Sequence, residues 1–109
     1  MPLIESQPDA VATVYAQSLF NLAFATGGQA AVEQTLEELE GLMELARTDR
    51  RFNEFLASRI IGVDKRSDSI GRMLLGKISE NTVRFIQVLN DKGRLHAFPA
   101  VVAAFDSIA

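Results

Sequence analysis

The sequence has no cysteine and no tryptophan, one histidine, one tyrosine and three prolines. Each shortage closes off a class of chemistry. Without cysteine there are neither disulfides nor thiolate metal sites, which fits a reducing compartment. With His96 as the only imidazole, a nucleophile–base pair or a zinc site has almost nothing to be built from. His96 itself reads as a surface or capping residue. An excess of basic residues is missing as well. Eleven Lys and Arg against 14 Asp and Glu leave a net charge of -3, whereas a sequence-independent nucleic-acid binder needs a basic face. There is no Gly-rich phosphate loop, since Gly27-Gly28 follows a helical pattern rather than a strand. No segment shows the period-2 alternation of a half-buried strand. Residues 1–9 carry no Lys or Arg, so no secretory signal is read there. No catalytic residue, cofactor or metal is assigned, and composition points to a binding module.

What is present suits a single soluble helical domain. The chain has 109 residues, 48% of them hydrophobic and 23% charged, which is enough to bury a real core. Ala10 to Val32 holds no charged residue. A membrane span needs about 20 mainly apolar residues. Thr13, Gln17, Ser18, Asn21, Thr26 and Gln29 interrupt this stretch, so a buried soluble helix is expected instead.

Residues 1–9 read as a loose lead-in and residues 10–109 as the domain. The first helix is expected over Ala10 to Ala25, ending at Gly27-Gly28. Its polar side is narrow, comprising Thr13, Gln17 and Asn21. One apolar flank carries Ala12, Ala16, Leu19, Phe20 and Ala23; the other carries Val11, Val14, Tyr15, Ser18, Leu22 and Ala25. A helix apolar on both flanks is either central in its own fold or shares one flank with a partner. The second helix, Gln29 to Arg47, has a narrow seam of Val32, Leu36, Leu39, Met43 and Ala46. Glu33, Glu37, Glu38, Glu40 and Glu44 read as its solvated face, with no ligand cluster that would make them a metal site. Thr48 or Asp49 caps a short third helix whose apolar side is Phe52, Phe55 and Leu56. After a connector over Ser58 to Val63 that turns at Gly62, Asp64 or a neighbour opens a fourth helix, with Ile70, Met73, Leu74 and Ile78 facing inward. Gly76 is a candidate interruption of its last turn.

Ser79 to Pro99 is the most legible stretch. Ser79 is an N-cap followed by Glu80, Lys92 stands in the last turn, and Gly93 is the left-handed stop. A sixth helix starts near Leu95, with Pro99 in its first turn. Phe85, Ile86 and Leu89 form the inner face of the fifth helix. Val88 lies to one side, flanked by Asn81, Arg84 and Lys92. It suits the floor of a groove between two helices, and equally a packing position at the bundle margin. About six helices with short links make an all-α bundle.

Several of these segments resemble one family. Val14-Tyr15-Ala16-Gln17-Ser18-Leu19-Phe20 with Ala23 resembles the opening motif of the delta subunit of bacterial F-type ATP synthase, whose mitochondrial counterpart is the oligomycin-sensitivity-conferring protein. Phe52 to Ser58 resembles its third helix, and Asn81 to Leu95, with Phe98-Pro99 and Phe105, its most recognisable segment. Two departures stand out. Arg59-Ile60-Ile61-Gly62 replaces a Pro-containing turn common in the family, and the family's C-terminal portion, which engages the stalk b subunits, is not present up to Ala109.

The resemblance implies the family's N-terminal six-helix bundle. This is a non-catalytic stator domain at the crown of the F1 head, on the cytoplasmic face of the bacterial inner membrane and not inserted in it. It implies that a groove between the first and fifth helices holds the N-terminal helix of an alpha subunit and so links head to outer stalk. The matched positions are Tyr15, Ser18 and Val88; helix geometry extends them to Val11, Val14, Leu22, Arg84, Phe85 and Lys92. The alternative from the residues alone is an unrelated helical adaptor that self-associates or binds another amphipathic helix.

Overall fold

The computed structural model describes residues 10–58 and 60–109. The lead-in over 1–9 and Arg59 lie outside the described residues. The rest is helical: α1 (Ala10–Thr48), α2 (Arg50–Ala57), α3 (Val63–Leu74), α4 (Glu80–Asp91), a 3-10 turn (Leu95–Ala97) and α5 (Phe98–Ile108). The all-α expectation holds, but five α-helices form rather than six.

The difference in count has a local cause. The first two expected helices are continuous as α1, which bends at Gly27 (φ -153°, ψ 19°) and Gly28 (φ 68°, ψ -154°). Two successive non-helical residues redirect the chain without inserting a loop. Gly28 lies in a region open essentially to glycine alone. Gly27 is held by closeness, since a Cβ there would sit 2.9 Å from the Cβ of Ala31. The element is therefore two arms, residues 10–26 and residues 29–48.

Local signals set most other boundaries. The Asp49 carboxylate accepts hydrogen bonds from the Arg51 and Phe52 backbone N–H at 3.0 and 3.2 Å, starting α2. Gly62 is the N-cap of α3, and Asp64 lies in its first turn. Gly76 does not interrupt that helix; it lies beyond the end, at φ 86°, in a turn closed by backbone bonds to Leu74. Lys92 is the C-cap of α4 rather than part of its last turn. Gly93, at φ 71°, stops that helix, and the Arg94 N–H returns to the Leu89 carbonyl. The chain makes one 3-10 turn from Leu95 before Pro99 enters the first turn of α5.

The core gathers at the contact of α1 with α5 and of α3 with α4. Leu19, Val32, Leu39, Ile70, Val83, Leu89, Val101 and Phe105 are its largest sealed apolar side chains. The first arm of α1 spends one flank on it: Ala12, Ala16, Leu19 and Ala23 are all buried, and Phe20 leans on Phe105 with ring centroids 6.0 Å apart. The small residues let α5 approach closely.

Buried polar side chains tie the layers together. The Glu38 carboxylate accepts from the Ser79 N–H and hydroxyl, both at 2.8 Å, and from the Thr82 hydroxyl at 2.7 Å. Ser79 is the N-cap of α4 as expected, but its hydroxyl makes no cap bond to that helix. The capping acceptor comes from α1 instead. This corrects the reading of Glu38 as part of a solvated face; Glu33, Glu37, Glu40 and Glu44 are exposed. The Asn90 amide donates to the Val63 carbonyl at 2.9 Å and Gln87 to the Ser67 carbonyl at 3.0 Å, which pins α3 to α4. Buried Arg66 donates to the carbonyls of Ser58 and Ile61, closing the α2–α3 connection.

Candidate functional site

The second flank of the first arm is only partly covered. Val14 is 64% exposed, Leu22 46% and Val11 44%. Beside it runs α4, whose Val88 is 42% exposed. Between the two helices lies an open furrow lined by Tyr15, Ser18, Leu19 and Leu22 from α1 and by Asn81, Arg84, Phe85 and Val88 from α4.

Each wall has a simple origin. On α1, positions 15, 18, 19 and 22 follow one another at helical spacing along a single stripe. On α4, positions 81, 84, 85 and 88 do the same. Leu19, 2% exposed, is the floor, shared between the core flank and the free flank. Tyr15 and Phe85 meet edge to face across the furrow, with centroids 6.2 Å apart and planes at 72°. Such a pair contributes about 0.5–1.5 kcal/mol beyond its buried area and fixes the helix spacing. At the other end the Asn81 amide donates to the Thr26 hydroxyl at 3.4 Å, and that hydroxyl donates to the Leu22 carbonyl at 2.8 Å. The order of these contacts makes α4 antiparallel to the first arm. Val11 and Lys92 therefore fall at the same end.

Six of the nine positions singled out from the sequence, namely Tyr15, Ser18, Leu22, Arg84, Phe85 and Val88, stand around this furrow. Val11, Val14 and Lys92 are exposed but do not line it. Val11 and Lys92 continue the two stripes one turn beyond Tyr15 and Val88, and Val14 faces outward from the α1 rim. Two lining residues were not in that set. Asn81 had been read as flanking Val88. Leu19 falls by helical geometry on the flank of Ala12, Ala16, Phe20 and Ala23, and its position between Tyr15 and Leu22 is the signal that it also floors the furrow.

Among the described residues that line the furrow, Arg84 is the one that carries a charge, and it donates from Nη2 and Nε to the Glu80 carboxylate at 2.7 and 3.0 Å. Among the described residues no group of three His, Asp or Glu could hold a metal ion. Covering the exposed parts of Leu22 and Val88 would release about 1 kcal/mol each.

A sequence model of the ATP synthase delta (OSCP) subunit family matches residues 11–109, nearly the whole described chain. The chain belongs to that family. An ATP synthase subunit delta of Clostridium kluyveri is 33% identical over 82 residues, covering 75% of this chain and 44% of that protein. One of Symbiobacterium thermophilum is 30% identical over 100 residues, covering 92% and 52%. The sodium-ion-specific subunit delta of Propionigenium modestum is 29% identical over 105 residues, covering 94% and 55%. The chain spans about half the length of the curated relatives it matches. No solved structure matches. The delta family is a non-catalytic, peripheral stalk component of the ATP synthase complex. No helix among the described residues is long and apolar enough to cross a membrane.

Proposed function

We propose that residues 10–109 act as one stator domain that captures the N-terminal amphipathic helix of an alpha subunit in the furrow between the first arm of α1 and α4. The observation that carries the reading is the furrow itself, two adjacent helices whose facing apolar stripes are left half-covered by their own bundle. A helix laid in a groove is held by anchors at i, i+3, i+4 and i+7, and the stripe of Tyr15, Ser18 and Leu22 opposite Phe85 and Val88 offers seats at that spacing. With the two arms of α1 counted separately, the furrow lies between the first and fifth helical segments, where the resemblance puts the family's groove. In this role the domain joins the F1 head to the outer stalk and Fo on the cytoplasmic face of the bacterial inner membrane. Contact with the stalk b subunits belongs to the family's C-terminal portion.

The test is calorimetric titration with a peptide of the organism's own alpha-subunit N-terminus. One-to-one binding is expected, and Val88→Asp should weaken it by about 2 kcal/mol or more, as for a central anchor. Undiminished affinity in a folded Val88→Asp protein would remove the furrow from the account.

A further inference from the structure

We infer that the helix held in the furrow carries two carboxylates seven or eight residues apart, flanking the apolar side chain that meets Val88, and that these set its register. The inference rests on the furrow reading above and goes beyond it to the chemistry of the occupant. The two walls differ in charge. The α1 wall belongs to a stretch, Ala10 to Val32, that contains no charged residue. Among the described residues, the charged side chains on the furrow stripes are those of α4: Arg84 with its partner Glu80, and Lys92 one turn beyond the furrow. There, Arg84, Val88 and Lys92 recur at intervals of four, placing a cation one turn on either side of the exposed valine. Eight residues of helix separate the two cations by about 12 Å. A second helix lying alongside presents side chains at that separation when they are seven or eight residues apart.

Both cations are available. Lys92 is exposed and joins no ion pair among the described residues. Arg84 is engaged by Glu80 through Nε and Nη2, which leaves Nη1 to an incoming acceptor. That pair is exposed, with side-chain exposures of 71% and 64%, so it holds the guanidinium at the rim without saturating it. Against a net charge of -3, two rim cations beside a neutral wall favour an acidic face at this site. The occupant is a peptide helix because the furrow floor is apolar and each rim is a helix that presents side chains at helical spacing.

The experiment titrates the full 109-residue chain with the alpha-subunit N-terminal peptide at about 50 and about 300 mM salt, since screening shortens from roughly 14 to roughly 6 Å between them. Three proteins are compared: the parent, Val88→Asp, and the double variant Arg84→Glu with Lys92→Glu. Circular dichroism checks that each is folded. In the parent, affinity should fall about three-fold or more with added salt. In the double variant it should fall at least ten-fold at low salt and lose that salt dependence. A peptide with its furrow-facing Asp and Glu replaced by Lys should bind the double variant better than the parent. If Val88→Asp abolishes binding while the double variant matches the parent at both salt concentrations, the charge pattern is overturned and the furrow stands. If Val88→Asp binds as the parent does, the furrow assignment falls, and this inference with it.

Discussion

Glu38 shows what a single side chain can do that its neighbours in sequence do not announce. It sits on a helix face of five glutamates, four of them solvated, yet its carboxylate receives three hydrogen bonds from the start of α4. Thr82, one of the donors, is fully buried. Glu38→Ala should cost about 1–2 kcal/mol in urea unfolding, because it leaves the Ser79 backbone N–H without its acceptor and the buried Thr82 hydroxyl with only the Ser79 hydroxyl, 3.0 Å away, as partner. Glu40→Ala, on the exposed face, should change stability by under about 0.5 kcal/mol. The partners lie more than 40 residues apart, so periodicity along one helix could not reveal the bond. The same holds for Arg66, Gln87 and Asn90, whose polar ends reach backbone carbonyls of another segment. Asp49 is the opposite case: its carboxylate serves N–H groups two and three residues on, and its role was readable from its neighbours alone.

At the scale of elements, Gly27 and Gly28 decide how the furrow is formed. They end the uncharged arm and turn the chain so that the acidic arm can supply Glu38 to α4, while Thr26, just before them, accepts from Asn81. Gly28→Ala should destabilise the fold by about 1–3 kcal/mol, since its φ and ψ are open essentially to glycine alone. Gly41→Ala, on an exposed helical position with open space around it, should be neutral or slightly stabilising in the same thermal melt. The glycine pair was legible as a stop signal, and the helix is broken there; that the second arm resumes without a loop was not, because Glu38 on that arm is held by Ser79 and Thr82, more than 40 residues away. The division of the first arm into two flanks was legible, since it follows from helical geometry alone. Which flank meets α5 was settled by tertiary packing: the small side chains Ala12, Ala16 and Ala23 admit a helix, whereas Val14 and Leu22 stay outside.

For the whole molecule, the account is one of surplus apolar surface. The bundle closes its core around Phe105, Leu39 and Leu89, and still leaves Leu22 and Val88 facing water on the two sides of the furrow. Such a patch invites a partner, and a second copy of the chain is the competitor to a foreign helix. Sedimentation at tens of micromolar should give a monomer of 11.9 kDa, because the furrow is concave and a matching ridge is needed to fill it. A tight dimer dissolved by Val88→Asp would favour self-association instead. The most direct measurement is amide chemical-shift mapping of the labelled chain during titration with the alpha-subunit N-terminal peptide. The account predicts that the largest changes trace two stripes, residues 11–22 on α1 and residues 81–92 on α4, with little change around His96 and Met43. Changes centred on His96 and Met43, or none at saturating peptide, would contradict it.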